Sequence, residues 1–145
     1  MTNELAALSP DTVTVGQTHE VVVVDNLTRT QIVQYAGASG DYNPLHTDEP
    51  YATQVAGYDT VIAHGMLTMG LTARALTDWL GAGRLVRYGV RFKAPVAPGA
   101  TLTTRLTVED VVHDEDGALV TVSLETVNHD GTAVVTGQAA GRLSP

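Results

Sequence analysis

The chain has 145 residues, 16 acids against 8 bases and no cysteine. That length suits one domain around one core, and the missing cysteines exclude disulfides, thiolate chemistry and cysteine-held metal clusters. A net charge of -8 argues against nucleic acid as the main partner, because phosphate binding needs a basic face.

In chain order, residues 1–18 read as an irregular lead-in, with Val13 and Val15 as a possible strand start. Met1 to Pro10 shows no basic segment followed by an apolar one, so no secretory signal is expected. No apolar run approaches the roughly 20 residues of a membrane span. A chain without a disulfide suits a reducing cytosol, so a cytoplasmic protein with no membrane partner is expected. His19 to Val24 is a strand candidate.

Thr28 and Gln31 then form a capping box, flanked by Leu27 and Ile32 at the positions of a hydrophobic staple. The spacing predicts a helix from about Arg29 to Ala38, with Ile32, Tyr35 and Ala36 inward and Gly37 and Gly40 ending it. Gly40 to Asp48 is a loop bent by Asn43-Pro44. A short helix carrying Tyr51, Ala52 and Val55 is expected before Gly57.

A long helix is predicted from about Gly65 to Leu80. Met66, Met69, Ala73, Leu76 and Leu80 lie on one face, and Leu67, Leu71 and Ala75 on a second. A helix apolar round most of its circumference belongs inside a wrapper. The wrapper follows. Val86, Tyr88, Val90 and Phe92 alternate with polar positions, as do Leu102, Thr104, Leu106 and Val108. Turns are predicted at Asp114–Gly117 and His129–Gly131, with Val120, Val122 and Leu124 between them and a last strand over Ala133 to Leu143. The order strand, helix, loop, long helix, antiparallel meander makes an α+β domain. One sheet curled about one long helix is the hot-dog arrangement, here expected as a single domain over residues 1–145.

Asp41 and His46 stand five apart across the Pro44 turn. They read either as a carboxylate and imidazole sharing acid and base work or as an Asx turn with a surface histidine. Gly65 offers a backbone N–H at the positive end of the long helix, a suitable donor to a carbonyl oxygen gaining charge. Equally, it is a glycine serving a tight loop-to-helix turn. Thr68 and Thr72 either face the same pocket or bond back to helix carbonyls. Arg84, Arg87, Arg91 and Lys93 cluster within ten residues, as a solvated strand face or a phosphate site. Asp41, Asn43, His46 and Asp48 match no metal-binding loop, so no metal is expected. No nucleotide-binding glycine pattern or nucleophile elbow occurs, and no cofactor is expected. Trp79 and Tyr88 read as core, and His113 and His129 as exposed turn neighbours.

Gly40-Asp41-Tyr42-Asn43-Pro44-Leu45-His46 resembles the hydratase signature of the MaoC-like family, and Ala63-His64-Gly65-Met66-Leu67 resembles the start of that family's hot-dog helix. The resemblance covers essentially the whole chain. Within the family it is nearest to (R)-specific enoyl-CoA hydratases and to the B-type subunit of actinobacterial (3R)-hydroxyacyl-ACP dehydratases. It implies a hydro-lyase adding water to trans-2-enoyl thioesters of CoA or ACP. Asp41 and His46 would hold the water, and Gly65 would bind the thioester oxygen. Asn43 would fix the turn or orient the pair, and Met66 and Met69 would line the acyl channel. Arg84, Arg87, Arg91 or Lys93 would meet CoA phosphates or an acidic carrier protein. It also implies a homodimer, or a heterodimer with a related hot-dog subunit, with strands pairing across subunits. The rival readings are a hot-dog acyl-CoA thioesterase and a non-catalytic acyl-binding subunit.

Overall fold

The computed structural model describes residues 7–145, so the expectation for residues 1–6 lies outside them. Five strands form one antiparallel sheet: β1 (Thr18–Val24), β2 (Leu85–Phe92), β3 (Leu102–Asp114), β4 (Gly117–Asn128) and β5 (Ala133–Leu143). Their order across the sheet is β1-β3-β4-β5-β2, which leaves β1 and β2 at the edges. The β3–β4–β5 meander follows the two expected turns, with Asp114 opposite Gly117 and Val127 opposite Ala133. Alternation in β3 and β4 puts Leu102, Leu106, Val108, Val120, Val122 and Leu124 into the core, each no more than 4% exposed. No strand forms at Val13–Val15. The segment turns there instead, with Val13 buried and Val15 exposed.

Helix α1 (Arg29–Ser39) begins as its capping box requires. Thr28 Oγ1 accepts the Gln31 N–H at 3.1 Å, and Gln31 Oε1 accepts the Thr28 N–H at 2.8 Å. Leu27 and Ile32, the two staple residues, are fully buried. Gly40 ends the helix in the left-handed region, at φ 73°, where a side chain would be strained.

Helix α2 (Gly65–Leu80) packs against the sheet and keeps its predicted boundaries. Its buried stripe, however, is Thr68, Thr72, Ala75, Leu76, Trp79 and Leu80, whereas Met66 is 57% exposed and Met69 and Ala73 are half-buried. Of the expected face of Met66, Met69, Ala73, Leu76 and Leu80, only Leu76 and Leu80 are fully buried. The threonines can go inside because one has a partner on the sheet. Thr72 Oγ1 lies 2.7 Å from Thr126 Oγ1 on β4, which lies 2.7 Å from Thr104 Oγ1 on β3. A buried hydroxyl costs little once it is hydrogen-bonded. Above this chain of hydroxyls, the Tyr88 phenol donates to the Met69 carbonyl at 2.8 Å. Burial pushes that phenol up to about 12.

The apolar face expected along β2 is only partly covered. Tyr88 and Val90 are half-buried, but Val86 and Phe92 are 64% and 54% exposed. The helix covers the middle of this edge strand, and at Phe92 only its first residue, Gly65, comes close.

Candidate functional site

The loop after α1 folds as a sequence of local hydrogen bonds. Asp41 Oδ1 accepts the Asn43 N–H at 3.2 Å, and Asn43 Oδ1 accepts the Leu45 N–H at 3.0 Å. These are Asx turns, and they lead into a single 3₁₀ turn over Pro44–His46. The same turn does more than close the loop. It drives the His46 ring inward to 9% exposure, while the free oxygen of Asp41, Oδ2, lies 3.8 Å from His46 Nε2. One carboxylate oxygen thus shapes the expected Asx turn and the other faces the imidazole, while the surface position expected for His46 in the turn reading is corrected by its burial.

A second strip of backbone, Val61–His64, runs beside this loop. The Ile62 N–H donates to the Leu45 carbonyl at 3.1 Å, and the Ala63 N–H donates to the Val96 carbonyl at 2.8 Å. His46 Nδ1 lies 2.7 Å from the Ile62 carbonyl. A carbonyl only accepts, so Nδ1 carries the hydrogen, and in the neutral ring Nε2 presents its lone pair towards Asp41. Glu49 braces the strip from outside. Its Oε2 meets Arg29 of α1 at 2.7 Å and accepts from Thr60 and Val61. The Arg29 guanidinium holds that carboxyl below its usual range.

His64, which precedes α2, joins the group without having been singled out from the sequence. It is 2% exposed and stacks on His46, with ring centroids 3.6 Å apart and planes 22° apart. The signal for it was an imidazole at a helix N-cap, where Ser, Thr, Asp or Asn is usual. It makes no capping hydrogen bond there. Asp41, His46 and His64 bring ligand-type atoms within 4.8 Å of one another. They do not fit a transition-metal site. Imidazole lone pairs lie in the ring plane and must converge on an ion about 2.1 Å away, whereas stacked rings hold them side by side.

Gly65 opens α2, and its Cα faces the Phe92 ring of β2. Beside it lies a cavity of about 310 Å³ lined by Ile62, Gly65, Thr68, Phe92, Lys93 and Val96, among others. Asp41 and His46 lie outside this lining. Ile62 links the two, with its carbonyl on His46 and the residue itself on the cavity wall. Thr68 therefore faces the cavity and Thr72 the sheet.

The basic cluster does not act as one unit. Arg84 donates to the Leu8 and Leu80 carbonyls at 2.9 and 3.1 Å, closing the end of α2. Lys93 lines the Gly65 cavity, whereas Arg91 lines a separate groove with Gly89, Ser123 and Gln138. Arg87, Arg91 and Lys93 have no carboxylate partner among the described residues. Met66 stands exposed one residue beyond Gly65.

A curled antiparallel sheet over one central helix, with an Asp–His turn docked at the helix start, defines a hot-dog protein. The chain belongs to the MaoC-like domain family, whose model matches residues 11–129. It is 42% identical over 89 residues to 3-hydroxyacyl-thioester dehydratase Y of Mycobacterium tuberculosis, a match covering 59% of this chain and 31% of that protein. It is 32% identical over 115 residues to the (R)-specific enoyl-CoA hydratase of Aeromonas caviae, covering 78% and 84% of the two chains. Among solved structures, the unliganded R-hydratase PhaJ1 from Pseudomonas aeruginosa superposes with a TM-score of 0.83 at 28% identity, covering 96% of this chain and 86% of that one. The chain spans about a third of the mycobacterial dehydratase. No described helix is long and apolar enough to cross a membrane.

Proposed function

We propose that this chain is a hydro-lyase that interconverts trans-2-enoyl and (R)-3-hydroxyacyl thioesters, residues 1–145 acting as one MaoC-like domain. The observation that carries the proposal is the pairing of the Asp41 carboxylate with the His46 Nε2 lone pair at 3.8 Å. Two acceptors so placed can hold one water by both of its hydrogens.

In the hydration direction, the water oxygen forms a bond to C3 as one acceptor takes its proton. The C2–C3 π pair moves onto the thioester, giving an enolate whose oxygen takes a hydrogen bond from the Gly65 N–H. The acceptor that took the proton then delivers it to C2 on the same face, which restores the thioester and returns the pair to its starting state. Gly65 serves because the oxygen is a better acceptor in the enolate than in the substrate, so the bond strengthens where the barrier lies. Asn43 keeps the turn, and so the direction of Asp41, through its bond to Leu45.

Lys93 lines the Gly65 cavity, where the thioester's carrier arm would pass, and Met66 stands exposed next to Gly65 in the chain. Lys93 is the cation we assign to carrier phosphate. Arg91, on its separate groove, is assigned to a more distant part of a CoA or an acidic carrier protein. The exposed Val86 and Phe92 on edge strand β2 support pairing with a second hot-dog subunit, either another copy or a related chain.

The test is turnover of crotonyl-CoA by the purified protein, followed by loss of enoyl absorbance. Asp41→Asn and His46→Gln should each lower kcat by about 10²–10⁴-fold while the melting curve stays cooperative. Free thiol in place of hydration would convert the reading to a thioesterase. Binding without turnover, alone or with a partner subunit, would make it an acyl-binding subunit.

A further inference from the structure

His64 is buried in the site, yet hydration as written above gives it nothing to do. Its Nε2 lies 3.0 Å from the backbone carbonyl of Asp41. That carbonyl only accepts, so Nε2 carries the hydrogen. Nδ1 is then left as a lone pair, and it has no hydrogen-bond partner among the described residues. One face of the ring lies against His46 at 3.6 Å, and the edge-on Tyr35 of α1 has its centroid 4.9 Å away. A buried polar atom without a partner is costly. An imidazole retained here at that cost must be supplying something through its other contacts.

Those contacts reach every functional group of the site. Stacking fixes the plane of the His46 ring, and hydrogen bonding fixes the carbonyl of Asp41. Peptide linkage joins His64 directly to Gly65. Asp41 and His46 sit on a loop, and Gly65 on a helix more than fifteen residues away in sequence. Without a common anchor, the distance between the water and the thioester oxygen would follow loop motion.

We infer that His64 is a positioning residue that sets the Asp41–His46 pair in register with the Gly65 N–H, without itself exchanging protons with substrate. This rests on the hydro-lyase reading. The two holds are chemically separable. Phe at position 64 keeps a flat ring for stacking and loses the bond to Asp41. Gln keeps an N–H for Asp41 and loses the stack.

The test uses the full chain and crotonyl-CoA. His64→Phe and His64→Gln should each lower kcat by at least about tenfold, as a misplacement of the order of 1 Å would, with KM changed by less than about twofold. The shape of the pH–kcat profile should stay that of wild type. If both variants melt cooperatively and keep kcat within about twofold of wild type, His64 only fills space and the inference fails. Limbs of the profile that shift in both variants would make it a proton-transfer group and also overturn it.

A readout free of activity covers variants that do not fold. Ring-nitrogen NMR of the wild type should find neutral His64 protonated at Nε2 and neutral His46 at Nδ1. The opposite tautomer on either ring refutes the anchoring. Wild-type protein that turns over nothing would sink the hydro-lyase reading, while the tautomers would still decide whether His64 is the anchor.

Discussion

Thr126 is the middle member of three buried hydroxyls, and replacing it with valine tests how α2 is held. Thr72, Thr104 and Thr126 are each 0% exposed, and Thr126 bonds both neighbours at 2.7 Å. Valine keeps the shape and removes both bonds. Each bond contributes about 1 kcal/mol net, and a hydroxyl left buried without a partner costs about 1–3 kcal/mol. Thr72, on a helix, can turn its hydroxyl to a carbonyl one turn back, whereas Thr104 is stranded. The added methyl recovers part of the loss, about 0.8 kcal/mol at most.

The net expectation for Thr126→Val is a loss of about 2–3 kcal/mol, or roughly 5–10 °C in Tm for a chain of this size. Thr104→Val strands nothing and should cost about 1 kcal/mol. The sharp outcome is the double variant, Thr104→Val with Thr126→Val. It removes the stranded hydroxyl and should be more stable than Thr126→Val alone. Urea unfolding followed by far-UV circular dichroism, at one fixed protein concentration, measures all three. A double variant whose loss equals the sum of the single losses would refute the stranded-hydroxyl account.

Two further outcomes follow from the structure. A Cβ at Gly65 would stand 3.1 Å from the Phe92 ring. Because that ring is exposed enough to swing, Gly65→Ala should change stability by no more than about 1 kcal/mol. It should still lower kcat by about tenfold as methyl and ring crowd the cavity, with Phe92→Leu restoring part of the rate. Melting and initial-rate assays on the two variants check this. For Tyr88, the folded phenol titrates near 12 against 10 in the open chain. The unfolded state therefore gives up its proton first as pH rises, and stability should fall between pH 10 and 12. Tyr88→Phe should lose that part of the alkaline slope in pH-dependent urea midpoints.

Features set within a few residues were legible in the sequence. The Thr28–Gln31 box, the Gly40 cap and the two meander turns are local hydrogen-bonding problems that the structure solves as expected, and α2 begins at Gly65 and stops before Gly81 as read. What failed was phase and partnership. Thr72 reads as facing the pocket or bonding back to its own helix, because the hydroxyl that satisfies it lies 54 positions further on. The cluster from Arg84 to Lys93 looked like one basic patch. Its members are divided by the structural bonds of Arg84 and by the separate cavities that Arg91 and Lys93 line. In the site, Asp41, His46 and Gly65 could be picked out by chemistry and by the MaoC-like motifs. His64 could not, since its burial depends on a loop, a helix and a tyrosine from three separate stretches of chain.

The sheet order also governs when the site can exist. Phe92 and Lys93 reach the Gly65 cavity through edge strand β2, and β2 pairs with β5 alone, Phe92 opposite Val135. The Lys93 N–H donates to Val134, also on β5. During synthesis, the Asp41–His46 loop and α2 emerge long before the strand that fastens this wall. The cavity is therefore among the last parts of the molecule to close, after a long-range pairing of the kind that slows folding. A nascent chain halted before Ala133 would carry its whole Asp–His turn and its helix, and still lack the anchored wall beside them.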